Sequence, residues 1–419
     1  MNPAFTIKKN HFIFACAFFF SLGSNILSLS LIYRLADWFS FSPGKIGAFV
    51  ALGQVFYFLG CNLYHRFGSA FNPVKAFSAS AVIIFLVLIP LGFTRTVGIV
   101  YISYWTFNLC TGFYWAPLMA WLTDGLGMED LNREIGFYNR SWMAGNIFGP
   151  LISGALYQIN SGAAFFVLCV CHFLVVVFLF FMHRYLRTIR SAAGSANPKG
   201  TSRPVGASRP VGPSRPWETA HENPEAAGTT DKRLDLYRYR GWISGLCSMM
   251  FVGVLVNIIP LHIRDGLGYT ERSAGILLFL RSVMAFAGFA ILARFTAWHF
   301  NRRWFLILQC GLLLCTILLI LAGNRLFLYA VIVILYGFIY AACYNNSMFY
   351  SGATGMDSKK NLALHEIFLT IGNAVGTAGG GFFYQHFRFS GTCIALFLAL
   401  GAGLGVFVLF NKKDNQKAT

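Results

Sequence analysis

The stretch Gly145–Gln158, GNIFGPLISGALYQ, returns in outline at Gly372–Gln385 as GNAVGTAGGGFFYQ. Both copies open on Gly-Asn and close on Tyr-Gln. Gly149/Gly376 and Gly154/Gly381 fall in step, at an offset of 372 − 145 = 227 residues. Upstream, SPGKIGAFVALGQVFYFLG (Ser42–Gly60) runs parallel to TERSAGILLFLRSVMAFAG (Thr270–Gly288), with Gly47/Gly275, Leu52/Leu280 and Gly60/Gly288 at 275 − 47 = 228. A nearly constant offset over separate segments marks a duplicated unit. Because the segments are apolar and helix-length, the unit is a membrane bundle, and two such bundles in tandem build a solute carrier with its site between the halves.

Composition agrees with that reading. A chain of 419 residues that is 56% hydrophobic and only 11% charged has far more apolar surface than one core can hide, so its solvent is lipid. Apolar runs long enough to cross the ~30 Å hydrocarbon layer centre near Phe18, Val55, Phe85, Phe107, Phe148 and Val170, then near Gly253, Ala285, Leu313, Val333, Val375 and Leu400. The expected fold is therefore an all-α membrane protein of twelve transmembrane helices in two pseudo-symmetric six-helix bundles, residues 1–182 and 241–419. The first apolar run continues past signal-peptide length and reads as a retained span.

The formal charge of +18 does not point to nucleic acid. With the N-terminus in the cytoplasm, the connections on that side hold Lys8, Lys9, Arg66, Lys75, Arg184, Arg294, Arg302, Arg303, Lys359, Lys360 and Lys412, while the opposite side has few bases, among them Lys45, Arg95, Arg325 and Arg388. This positive-inside bias predicts cytoplasmic termini in a multi-pass plasma (inner) membrane protein. Ten cysteines are scattered through the spans without metal-ligand spacing and read as small packing residues, so no metal or cofactor is expected. Between 183 and 240 the hydropathy collapses into SRPVGASRPVGPSRP and its flanks, too poor in apolar residues to fold alone; the segment is expected to be a disordered cytoplasmic linker.

An ionised group inside the bilayer is costly unless it faces a cavity or a partner, so each such residue is a functional candidate. Arg281, about nine residues into the eighth span, leads; the competing reading is an ion pair with a buried acid. Arg140 lies a turn and a half into the fifth span and either serves the cavity or snorkels to the interface. His365 and Glu366 open the eleventh span, where the 227-residue offset sets Glu366 against Asn139, beside Arg140; they are the proton-coupling candidates. Asp124 reads as a cap or a water-facing group. Neutral polar residues recur at helical spacing: Ser21, Ser24, Asn25 and Ser28 in the first span, Asn108, Thr111 and Trp115 in the fourth, and Tyr340, Tyr344 and Asn345 in the tenth. With Asn257 of the seventh, they are the substrate-binding candidates. Interhelical hydrogen bonding is the alternative use of the Ser and Asn groups. Trp115 and Tyr340 suit a binding surface because their rings combine apolar contact with a polar tip.

Two six-helix halves, a long central loop and glycine-rich fifth and eleventh spans resemble the major facilitator superfamily. In the fifth span Gly136, Gly145, Gly149-Pro150 and Ser153-Gly154 follow the spacing of that family's antiporter signature, with Ser153 replacing a glycine. Gly145, Gly149, Gly154, Gly372 and Gly376 would let neighbouring helices approach closely, and Pro150 would free the Asn146 carbonyl and permit a bend. Other family signatures are degraded. The loop after the second span reads CNLYHRFGSAF, with Arg66 and Gly68 in place but His65 where the family has an acid; its second-half counterpart keeps Phe300-Asn301-Arg302-Arg303. The family uses such groups, here Arg66 and Arg302, as gating latches. Where drug antiporters carry an arginine before the fourth-span glycine, this chain has Asn108.

The resemblance implies a monomeric secondary carrier working by alternating access, whose first, fourth, seventh and tenth helices line the pathway. The expected cargo is a small polar or anionic organic solute, moved with protons. A drug or metabolite:proton antiporter and a non-transporting receptor on the same fold are the alternatives. No phosphate loop and no constellation of nucleophile, base and oxyanion donors is visible, so neither ATP-driven transport nor an enzyme is expected.

Overall fold

The computed structural model describes residues 3–67, 72–123, 128–195, 224–292, 294–295, 297–352 and 358–416. These residues are almost wholly helical, with no strand among them. The first half comprises α1 (Pro3–Phe39), α2 (Pro43–Phe67), α3 (Pro73–Phe93), α4 (Val97–Thr123), α5 (Met128–Ile159) and α6 (Ser161–Ser195). The second comprises α7 (Pro224–Asn257), α8 (Glu271–Leu292), α9 (Arg302–Ala322), α10 (Leu326–Gly352) and the stretch Ser358–Gln416. That stretch turns at Arg388, whose left-handed φ of 59° is non-helical, so it is two spans, α11 (358–387) and α12 (389–416). Thr392 ties them, its hydroxyl donating to the Gly380 carbonyl at 3.3 Å. Two bundles of six helices among the described residues match the expected fold.

Local sequence sets the helix starts. Pro43 and Pro73 stand at the first turns of α2 and α3, where a missing N–H costs nothing. Asn72 caps α3 by accepting from the Val74 and Lys75 amides, and Asn301 caps α9 by accepting from the Arg303 amide. By length and apolarity, nine helical segments among the described residues qualify as membrane spans, one of them the α11–α12 pair. α4 and α5 fall outside that set because Asn, Thr, Tyr and Trp dilute α4 and because α5 opens on a charged run. Both are held inside the bundles by their neighbours.

The expected linker is shorter at its ends. α6 runs on to Ser195 and α7 starts at Pro224, because RYLRTIRSAA and the Ala-, Lys-, Arg- and Leu-bearing segment before Arg240 are good helix formers. The Pro/Gly/Ser/Arg repeat over 202–216 lies outside the described residues, as do Gly68 and Asp124.

Glycines set the packing, and they do so twice. Gly145 and Gly149 of α5 press on α1 at Leu22 and Asn25; Gly372 and Gly376 of α11 press on α7 at Leu246 and Met250. Between the halves, a Cβ on Gly47 of α2 would lie 2.5 Å from the Thr377 oxygen and 3.2 Å from the Gly381 Cα, while one on Gly275 of α8 would lie 2.5 Å from the Pro150 oxygen and 3.2 Å from the Gly154 Cα. These partners are themselves related by 377 − 150 = 227 and 381 − 154 = 227. The sequence repeat is thus a pseudo-two-fold in space, with α2 against α11 on one side and α5 against α8 on the other.

This packing makes a graded test. A methyl at Gly376 meets the Met250 carbonyl directly, whereas Gly379, three residues on, has open space around it. Gly376→Ala is expected to lower stability in detergent by ~1–3 kcal/mol through overpacking, and Gly379→Ala to leave the unfolding temperature unchanged. Thermal unfolding of the two purified variants checks the pair.

Candidate functional site

On the face opposite the chain termini, the ends of α1 and α7 are joined by an ionic knot. Arg264, in the π-helical turn His262–Gly266 that follows α7, places one nitrogen 2.9 Å from Asp37 Oδ1 and donates from another to Asp37 Oδ2 at 3.0 Å. Its Nε donates to Asp265 Oδ1 at 2.6 Å, and Glu271 at the start of α8 lies 3.6 Å away. The guanidinium sits 4.7 Å above the Tyr33 ring, and the Tyr157 hydroxyl donates to Asp37 Oδ2 at 2.9 Å. One cation therefore gathers acids from both halves. Beside the knot, the Gly44 amide donates to Gln385 Oε1 at 3.1 Å, joining α2 to α11.

Deeper along the seam, toward the terminal face, Tyr344 of α10 is a hub. Its ring lies 6.1 Å from Tyr340 and 5.3 Å from His365. Glu366 lies within electrostatic reach of Tyr344 and, across the seam, of Tyr57 and Cys61 in α2; Tyr138 of α5 is likewise close to Tyr344. Trp115 of α4 stands edge-on to Tyr138 at 6.1 Å. Arg281, at the middle of α8, lays its guanidinium 4.3 Å above the Tyr340 ring. No carboxylate among the described residues pairs with it, and its Nε is buried without a hydrogen-bond partner. Arg281 is thus not locked into an ion pair.

His365 and Glu366 take different environments although adjacent. His365 is 2% exposed, its Nδ1 2.7 Å from the Ser347 hydroxyl, while the Glu366 side chain is 54% exposed. Their nearest nitrogen and oxygen are 3.9 Å apart, and His365 Nε2 has no hydrogen-bond partner. The buried imidazole is thus held at Nδ1 and has a buried, unmet Nε2 beside an exposed carboxyl.

The neutral polar candidates divide. Trp115, Tyr340 and Asn345 are half-buried, with Trp115 and Tyr340 in the aromatic cluster. Asn257 is buried and donates to the Gly253 carbonyl at 2.9 Å and to the Thr377 hydroxyl at 3.0 Å, which ties α7 to α11. Asn25 donates to the Ser21 carbonyl and, at 2.7 Å, to Asn146 Oδ1, tying α1 to α5. Asn108 is buried, donates to the Tyr104 carbonyl of its own helix and packs on Gly53. For these three the structure favours interhelical packing over a place in the seam, because an amide in an apolar bundle takes the nearest partner. Arg140 is exposed, its guanidinium 4.3 Å over the Phe137 ring. Arg66 is exposed beside Phe67, and Arg302 lines a cavity of about 570 Å³ with Tyr237, His299 and Phe300 at the turn before α9, away from the seam.

Several residues escaped the sequence reading. Arg34, 1% exposed, donates to the Gly92 and Thr94 carbonyls and stacks on Trp38 and Phe165, so it caps the C-terminal end of α3. Its position near a span end hid it. Asp37 and Arg264 were also missed, although 264 − 37 = 227 equals the repeat offset; opposite charges at equivalent positions near span ends were the available signal.

The comparisons agree with this geometry. Among solved structures, a POT family transporter in complex with a thioalcohol-conjugated peptide matches at a TM-score of 0.72 and 10% identity, over 97% of this chain and 96% of that one. The nucleoside transporter NupG matches at 0.69 and 11%, over 98% and 100%. A bacterial homolog of the human lysosomal transporter Spinster, inward-facing and unoccupied, matches at 0.64 and 14%, over 98% and 95%. No curated protein sequence matches the chain significantly. At these identities the solved structures speak for the fold alone. A family model described as the Major Facilitator Superfamily matches residues 13–354, most of the chain, and with two pseudo-symmetric six-helix bundles meeting at a polar seam, the protein belongs to that superfamily.

Proposed function

We propose that this protein is a secondary active transporter that moves a small polar or anionic organic solute through the seam by alternating access, coupled to protons. The observation that carries this reading is Arg281: an ionised group at mid-span, stacked on Tyr340, with no carboxylate partner among the described residues. Such a group is tolerated in a membrane where it faces a cavity or a partner, and a bound anion would supply the partner. Glu366, accessible and next to buried His365, is the proton site. Replacing Arg281 with Ala is expected to abolish uptake of labelled organic anions into proteoliposomes; undiminished uptake would overturn the anion reading.

The efflux alternative rests on the glycine signature of α5. The same glycines recur in α11 and perform the same packing there, Gly145 and Gly149 on α1 matching Gly372 and Gly376 on α7. A pattern present in both halves for packing carries no direction of transport. Cytoplasmic termini, a plasma-membrane location and a monomer are part of the proposal; the positive-inside bias supports the first of these.

Two further outcomes follow. With Glu366→Gln, exchange of solute between equal pools is expected to persist while accumulation driven by a pH gradient is lost, because a group that cannot titrate still permits rocking but not coupling. Flux assays with and without a proton gradient separate the two. With Asp37→Asn, the knot loses a charge on a partly exposed pair worth ~1 kcal/mol or less, so the far ends should separate more often. Spin labels at Lys45 and Arg325 are expected to show a larger share of long distances than in the unmodified protein.

A further inference from the structure

The duplication allows one half to be subtracted from the other. α4 and α10 are offset by 326 − 97 = 229, and packing keeps the same register: Gly60 abuts Leu109, Gly288 abuts Phe338, and 338 − 109 = 229. The glycines at the crossings between the halves agree, Gly47 with Gly275 and Gly154 with Gly381. Several positions around Arg281 do not. Arg281 corresponds to Gly53, and Tyr340 beneath it to Thr111, whose hydroxyl merely donates to its own helix at the Phe107 carbonyl. His365 and Glu366 correspond to Tyr138 and Asn139, and Asn139 accepts from the Trp142 indole at 3.0 Å. Tyr344 corresponds to Trp115. The second half thus carries a cation, an imidazole and a carboxyl where the first has a glycine and neutral groups, while aromatic residues stand on both sides.

Arg281 constrains what can bind. Its guanidinium is a planar fork of N–H donors whose central carbon lies 4.3 Å from the Tyr340 ring centroid, and its Nε is a buried donor without an acceptor. A planar carboxylate matches that fork and removes the cost of the unmet donor. The nearby surface is aromatic: Phe289 stands edge-on to Tyr340 at 6.4 Å and to Tyr344 at 5.8 Å, Tyr57 and Tyr138 of the first half lie within electrostatic reach of Tyr344, and Trp115 stands edge-on to Tyr138. Glu366, on the same hub, disfavours a second negative charge. We infer that the solute is a monocarboxylate carrying an aromatic ring, its carboxylate held by Arg281 and its ring stacked among Tyr340, Tyr344, Trp115 and Tyr138. The inference rests on the transport reading for its purpose, but binding tests it separately.

Purified protein is titrated with benzoate and indole-3-carboxylate, and with benzamide, butyrate and benzylammonium as controls, following thermal stability and tryptophan fluorescence, since a ligand of the folded state raises its apparent stability. The two aryl carboxylates are expected to stabilise the protein at millimolar concentration and the controls not to. Arg281→Lys, which keeps the charge without the fork, is expected to weaken binding by roughly tenfold or more. Tyr340→Leu, which leaves Arg281 present but unstacked, is expected to weaken it as well. Equal stabilisation by benzamide or butyrate, stabilisation by benzylammonium, no response to either aryl acid, or unchanged affinity in Arg281→Lys would each overturn the assignment. Flux in proteoliposomes distinguishes the two layers: aryl acids that bind without crossing would defeat the transporter reading and leave the site assignment standing, whereas flux of a different solute class without aryl-acid binding would do the reverse.

Discussion

Everything in this architecture depends on backbone meeting backbone where Gly47 passes Gly381 and Gly275 passes Gly154. In lipid, apolar side chains gain nothing by leaving one apolar surroundings for another, so association between helices comes from close van der Waals contact and interhelical hydrogen bonds. A side chain at any of these four positions would hold the halves apart. At these four crossings there is no side chain to interlock, while beside them Phe148 of α5 meets Phe279 of α8 at 6.4 Å. What then holds the far face shut is polar, namely the Arg264 knot and the Gly44–Gln385 hydrogen bond. Polar contacts of this kind can break and reform at modest cost once water enters.

Much of this frame was legible in the sequence because packing in a duplicated membrane protein leaves a periodic record. The matching glycines of α5 and α11 and the two-fold relation follow from the 227- and 228-residue offsets, and the twelve spans from the apolar runs. Arg281 was legible for a different reason, since a lone charge at mid-span has few uses. Spacing alone left the Asn candidates open between a cavity and a neighbouring helix. Asn25, Asn108 and Asn257 lie on polar stripes, but a stripe on a span can face a cavity or a neighbouring helix with the same periodicity. Which of the two it faces depends on rotation of the whole helix, set by glycines elsewhere. Tyr57 and Tyr138 went unnoticed because an aromatic residue in a chain that is 17% aromatic carries little information until a charge is found beside it.

The knot shows what duplication demands of residues on the symmetry axis. Any side chain there faces its own copy, so an identical pair of charges would repel where Asp37 and Arg264 attract. Asp37 faces Arg264 and Tyr33 donates toward the Pro260 carbonyl at 3.5 Å, both at a separation of 227. Opposite charge at one equivalent position converts self-repulsion into a latch, and it can do so only if the two copies diverge there. Divergence at the axis and divergence at Arg281, His365 and Glu366 therefore act at different places: the first pairs opposite charges across the halves, the second sets charged and ionisable groups beside the aromatic cluster. The seam positions where copy still matches copy, Gly47 with Gly275 and Gly154 with Gly381, are the ones where backbone meets backbone, and glycine is the residue that fits there.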